Sequence, residues 1–153
     1  MQARIDYFAA APAALQPLLK LEQSFAGNGI EHGLIELIKL RASQIHGCAF
    51  CLHMHTQDAR AAGESEARIY LLSAWRESNL YTARERAALA WTEALTLIAA
   101  SHAGDTDYAL FSAAFSEEEQ VKISLVIGAI NVWNRLAVGF RAIHPNDLDY
   151  APR

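Results

Sequence analysis

The stretch Glu36-Leu-Ile-Lys-Leu-Arg-Ala-Ser-Gln-Ile-His-Gly-Cys48-Ala-Phe-Cys51-Leu-His-Met-His55 holds two helical patterns divided by a break. Before the break, Leu34, Leu37, Ile38 and Leu40 recur at helical spacing, which predicts a helix from about Glu31 to Ile45. His46-Gly47 interrupts it. A second helix is expected to begin near Cys48 and to stop at Gly63, a residue suited to the left-handed turn that ends a helix. On that second helix Cys48 and Cys51 are i and i+3, and Cys51 and His55 are i and i+4, so the three share one face. His53 points to nearly the opposite side.

The flanking sequence continues in the same style. A helix is expected over roughly Pro12 to Phe25, with Pro17 starting or kinking its regular part and Gly27-Asn28-Gly29 ending it. A short segment carries Ile69, Leu71, Leu72 and Trp75. Thr82 and Glu85 form the sequence pattern of a capping box ahead of a helix whose buried stripe reads Ala88, Trp91, Leu95 and Ile98. A short helix follows from Asp105 or Thr106 through Phe115. Ser116 and Glu119 open the last helix with a second capping box and run it to about Arg141, with Pro145 beyond. Val121, Ile123, Leu125, Val126, Ile127, Ile130, Val132, Trp133, Leu136 and Val138 nearly encircle that helix, which is expected to be central and to touch other subunits. Trp75, Trp91 and Trp133 sit at spacings that suit a core. Asn131, Asn134 and Arg135 are expected to satisfy buried groups or to cross a subunit contact. The fold class is therefore all-α, one domain spanning 1–153, with six to seven helices in about that number of segments.

Composition narrows the function. The 153 residues carry a formal net charge of −4, and Lys and Arg do not cluster, so the footprint of a nucleic-acid or anionic-membrane binder is missing. A hydrophobic fraction of 52% is slightly high for a soluble monomer and hints at surface covered by further copies. The most apolar run, Ile123 to Ile130, is too short to span a bilayer. The Ala-rich stretch from Tyr7 to Ala14 is interrupted by Pro12 and is not expected to be a signal peptide, so a cytoplasmic location follows. Two cysteines three residues apart would close too small a loop to staple a fold, and the spacing reads as redox or metal chemistry.

The chemistry sits at the start of a helix. Free backbone N–H groups and the positive end of the dipole favour a thiolate there. His55, one turn from Cys51, can take the thiol proton or hold the anion. Glu36 lies on the preceding helix, and a sharp turn at His46-Gly47 would bring its carboxylate to His55 and orient the ring.

The stretch resembles the AhpD-like branch of the carboxymuconolactone decarboxylase family, the alkylhydroperoxidase core, whose signature is a Glu followed by Cys-x-x-Cys-x-x-x-His on the next helix. Glu36 precedes Cys48 by the family's twelve residues, and the Leu-Arg-Ala-Ser-Gln-Ile lead-in and Asn-Val-Trp-Asn-Arg-Leu at 131–136 are also similar. The resemblance implies an oligomeric helical bundle, a trimer or hexamer, that reduces organic hydroperoxides in antioxidant defence without a cofactor or metal. It implies Cys51 as the sulfenic-acid nucleophile, Cys48 as proton donor and resolving thiol that closes a Cys48–Cys51 disulfide, and His55 with Glu36 as proton relay. An external dithiol or protein reductant would complete the cycle. The best-known members place a second His directly before the second Cys, where this chain has Phe50. The family's decarboxylases lack the cysteine pair.

Other readings of the same residues stay open. The cysteines could be inert buried thiols. Cys48, Cys51 and His55 could ligate zinc with Glu36 or His46 as fourth ligand, in a structural oligomer. A dithiol–disulfide oxidoreductase would use the pair without a peroxide. A small-molecule pocket between helices is a further possibility. His32, His102 and His144 fall in or near expected turns, and His46 and His53 at the surface.

Overall fold

A computed structural model describes residues 2–145. Among these every regular element is helical: α1 Tyr7–Ala10, α2 Pro12–Gln23, α3 His32–His46, α4 Ala49–Ala61, α5 Glu66–Leu71, a 3₁₀ helix Leu72–Glu77, α6 Ala83–Thr96, α7 Ile98–Ser101, α8 Asp105–Ala114 and α9 Glu117–Phe140. The main helices fall where the periodicity put them. The additions are single turns, α1 and α7, too short to show a period. The short segment around Trp75 divides at Leu71–Leu72 into α5 and the 3₁₀ helix, inside which the backbone leaves helical geometry at Ala74.

The most enclosed helix is α3, which packs against α4, α6, α9 and the 3₁₀ helix. Leu34, Ile35, Leu37, Ile38, Leu40 and Ala42 are all buried, and with them the polar Glu36, Lys39 and Ser43. The last helix, expected to be central, packs against α3. On α9 only one face is core: Ile123, Val126, Ile127 and Ile130 are buried, while Val121, Leu125, Val132 and Val138 are exposed. Length and composition alone would let α9 cross a membrane, against the expectation from the short apolar run at its centre. Its packing is that of a core helix: Asn134 donates to Ser43 Oγ of α3 at 3.0 Å, and Asn131 to Thr96 Oγ1 of α6 at 3.2 Å. Ile98, expected on the buried stripe of α6, is exposed, because the helix ends at Thr96.

Both capping boxes form, at Thr82–Glu85 and Ser116–Glu119. Each also ties two parts of the chain together. Glu85 receives Arg68 from α5 at 2.6 Å. Glu119 receives Arg84 from α6 at 2.6 Å, and hydrogen bonds from Arg84 and Ser116 hold its carboxyl down at about 2.

Glu93 on α6 joins three elements. It accepts from Arg41 of α3 at 2.7 Å, from the Trp75 indole at 2.8 Å and from Arg76 at 2.7 Å. Burial pushes its carboxyl pKa up, but the hydrogen bonds from Trp75, Arg76 and Arg41 outweigh that and hold it below the unperturbed 4.5. A lowered native pKa means that this contribution is complete above about pH 4.5 and drains away as the pH falls through the native value. Glu93→Gln should cost about 2–3 kcal/mol at neutral pH, since it leaves enclosed donors facing a weaker acceptor. Denaturant melts at pH 7 and pH 3 check this, and the gap between variant and wild type should narrow at the lower pH.

Candidate functional site

The break between α3 and α4 builds the site. Gly47 adopts φ +63°, a left-handed geometry that costs glycine little. Its N–H bonds to Gln44 O at 3.2 Å, and the Cys48 N–H bonds to Ser43 O at 3.0 Å, so the last carbonyls of α3 are satisfied as the chain reverses. Cys48 is then the N-cap of α4, and its sulfur accepts from the Cys51 N–H at 3.3 Å. Cys48 and Cys51 are joined in a disulfide across a Cα–Cα distance of 5.4 Å. Both are buried, at 1% and 2% exposure.

The reversal lays α4 along α3 and brings His55 to Glu36. Nδ1 of His55 lies 2.9 Å from Oε2 of Glu36, with the residues only 5% and 4% exposed. An ionised carboxylate can only accept, so Nδ1 carries the proton and Nε2 is left as the basic nitrogen. Asp58, one turn further along α4, places Oδ2 at 3.9 Å from the same Nδ1. The contact proposed from spacing is thus made, and a second acid that the sequence reading missed stands beside it. Its signal was the i+3 offset from His55.

Cys51 and His55 open onto one cleft of about 360 Å³. Its walls are largely apolar: Tyr7 and Phe8 of α1, Leu19 of α2, Phe50 and Met54 of α4, and Ile130, Trp133 and Ala137 of α9. Phe8 stacks on Trp133 with centroids 5.9 Å apart. Trp133, expected in the core, is instead half-buried wall of this cleft, because α1 and not a long helix covers it. Burial, and then the Asp6 charge, push the Tyr7 phenol pKa up, so that group stays neutral through the physiological range. The polar residues of the lining are Glu22, Lys39, His55 and Asp58. Cys48 lines a different, smaller groove of about 140 Å³ with Gly47, Ala49, Val138 and Arg141. Phe50 belongs to both openings.

The remaining candidates are not brought in. His46 bonds to Ala42 O at 3.0 Å, and His53 meets Gln57 at 2.9 Å and stacks on His144. With the sulfurs bonded to each other, the zinc set of Cys48, Cys51, His55 and Glu36 or His46 does not assemble in this state. The potential ligands that do converge among the described residues are Glu36, His55 and Asp58, within 4.8 Å of one another.

This geometry defines a class: an all-helical protein with a buried Cys-x-x-Cys disulfide at a helix N-terminus and a carboxylate-braced imidazole beside an apolar cleft. The model of the carboxymuconolactone decarboxylase family matches residues 7–94, more than half of the chain, and the chain belongs to that family. The uncharacterised protein YdfG of Bacillus subtilis (strain 168) is 41% identical over 138 residues, covering 90% of this chain and 94% of its own. The crystal structure of Atu0492 from Agrobacterium tumefaciens, a protein of unknown function linked by name to AhpD and antioxidant defence, superimposes with a TM-score of 0.91 at 51% identity, over 94% of this chain and 99% of that one. The debrominase Bmp8 shares the fold at a TM-score of 0.77 and 18% identity, over 90% of this chain and 74% of its own. The fold is thus AhpD-like.

If His55 accepts the Cys51 thiol proton, then after reduction with a dithiol His55→Ala should slow alkylation of Cys51 by iodoacetamide at pH 7 by about tenfold or more. Mass-spectrometric time courses of the modified peptide read this out, and an unchanged rate would separate His55 from Cys51 chemistry.

Proposed function

We propose that this protein is a thiol peroxidase that reduces organic hydroperoxides through Cys51 and Cys48. The observation that carries the reading is the buried Glu36–His55 hydrogen bond beside the same cleft that Cys51 lines. In the reduced protein His55 Nε2 takes the Cys51 proton. The Cys51 thiolate attacks the terminal oxygen of the hydroperoxide, and the O–O bond breaks. The leaving alkoxide takes the proton held on His55 and departs as an alcohol, with Cys51 left as sulfenic acid. Cys48 then attacks the Cys51 sulfur, the S–S bond forms and the hydroxyl leaves as water with the Cys48 proton. One hydroperoxide is thereby reduced to alcohol and water while two thiols are oxidised to a disulfide. An external dithiol or protein reductant restores both thiols and is itself oxidised. Such a cycle suits a reducing, cytoplasmic setting and calls for no cofactor.

A second reading, dithiol–disulfide exchange with no peroxide, is favoured by one observation. Cys48 lines a groove separate from the Cys51 cleft, so an outside thiolate has an approach of its own. Assembly into a homo-oligomer, a trimer or hexamer, is part of the proposal. The exposed Val121, Leu125 and Val132 supply an apolar stripe along α9 for it. Arg at Leu125 and Val132 together should lower the mass measured by sedimentation.

Stopped-flow mixing of the reduced protein with cumene hydroperoxide tests the chemistry. Wild type should lose two thiols per chain and Cys51→Ser none of them rapidly. Cys48→Ser should stop at a sulfenic acid that dimedone traps. Glu36→Gln should lower kcat/KM by at least about tenfold by loosening the base. Rapid disulfide exchange without peroxide consumption would replace the first reading by the second.

A further inference from the structure

The cleft beside Cys51 contains an ion pair that the proposed chemistry does not use. Lys39 of α3 is 8% exposed, and its ammonium bonds to Glu22 Oε2 of α2 at 2.7 Å. Both residues line the cleft, and both are under-satisfied. An ammonium has three donors, and Glu22 is the one hydrogen-bond acceptor Lys39 reaches among the described residues. Glu22 Oε1 is enclosed by protein and takes no hydrogen bond. A buried polar atom without a partner is costly and marks a place where a ligand can repay the loss.

The electrostatics of the pair restrict what that ligand is. Lys39 and Glu22 neutralise each other, and the rest of the lining is aromatic and aliphatic apart from His55 and the Asp58 carboxylate, which adds a second negative group. A carboxylate entering here would gain one N–H from Lys39 but would lie against the Glu22 carboxylate with little water to screen it. A plain hydrocarbon would leave the pair as it stands. A hydroxyl or an amide both accepts and donates. It can take an N–H of Lys39 and give its own proton to the Glu22 carboxyl, which needs only rotation of that carboxyl about its last bond.

We infer that the cleft selects an uncharged, largely apolar molecule, aromatic by preference, whose one hydroxyl or amide seats on the Lys39–Glu22 pair. This rests on the reading of the cleft as the substrate site and names the substrate class: neutral hydroperoxides that carry a second, donor–acceptor group. Lys39 and Glu22 are then specificity residues. Lys39 stands at i+3 from Glu36 on α3, and Glu22 comes from α2.

The test needs no turnover. Binding of 4-isopropylbenzyl alcohol, 4-isopropylbenzoate and 4-isopropyltoluene to the full-length disulfide form is followed by quenching of tryptophan fluorescence, with Trp133→Phe to assign the signal to the cleft. In wild type the alcohol should bind about tenfold or more tightly than the benzoate and than the hydrocarbon, in line with the cost of burying an uncompensated charge or leaving the pair unmet. Glu22→Gln leaves the Lys39 charge uncompensated and should invert the order, with the benzoate now ahead of the alcohol. Glu22→Leu combined with Lys39→Met removes the pair and should erase the advantage of the alcohol over the hydrocarbon. Thermal melts of each variant confirm that the fold persists. Equal binding of alcohol and benzoate to wild type, no binding of any probe, or an order unmoved by Glu22→Gln would each overturn the inference. Cumene hydroperoxide turnover is measured alongside. Selectivity without turnover removes the peroxidase reading and leaves the neutral-ligand site, whereas turnover without selectivity removes this inference alone.

Discussion

The hydrogen bond between Glu36 and His55 is the constraint around which the site is arranged. It joins two residues nineteen apart in sequence across a pair of antiparallel helices, and both are buried. An acid and an imidazole taken out of water are stable there only with each other, or with another partner of opposite character. Every nearby device serves to make the pairing geometrically possible. Gly47 allows the reversal, the closing hydrogen bonds to Gln44 and Ser43 fix it, and the packing of α3 on α4 sets the spacing. The disulfide occupies the first turn of the returning helix, so the position of the sulfurs follows from the same reversal.

Much of this was legible from the order of residues, for identifiable reasons. Helices were readable because caps and periods are local: Thr82 with Glu85, Ser116 with Glu119, and glycines at the ends of α3 and α4. The Glu36–His55 contact was readable because a one-residue hinge leaves two helices little choice but to lie side by side. The cleft was not. Its lining comes from α1, α2, α3, α4 and α9, and a single turn such as α1 carries no periodic signal. Trp133 illustrates the consequence. Its spacing on α9 is that of a core residue, and only the placement of Phe8 over it reveals a wall. Lys39 and Glu22 pair across a loop and two helices, and neither residue's neighbours announce the other. Apolarity alone does not rank the helices by enclosure: α9, apolar nearly all round, is core on one face and exposed on the other. Helix α3 is more enclosed although it carries Glu36, Lys39 and Ser43, because those polar groups find partners inside.

The fold supports more than one chemistry, since a debrominase shares its architecture at low identity. What distinguishes chains of this shape is therefore the local equipment. Here that is a Cys-x-x-Cys disulfide at a helix N-terminus, an imidazole held by Glu36 and a largely apolar cleft that carries the Lys39–Glu22 ion pair. Phe50 standing between the two openings gives the disulfide two unlike faces, a roomy one at Cys51 and a narrow one at Cys48. In the proposed cycle, oxidant and reductant would not compete for the same doorway.

Helix α1 is held to the body by the buried Tyr7, by Phe8 on Trp133 and by Arg4 ahead of it. The Arg4 N–H bonds to Phe140 O at 2.9 Å, the Arg4 guanidinium to Gly139 O at 2.8 Å, and Tyr7 meets Phe140 ring to ring. Four residues of helix cannot persist by themselves. The cavity wall that they form therefore keeps its place only through those anchors. The shape of the cleft is thus tied to the end of α9, because the Arg4 bonds to Phe140 O and Gly139 O fix the segment that carries Tyr7 and Phe8.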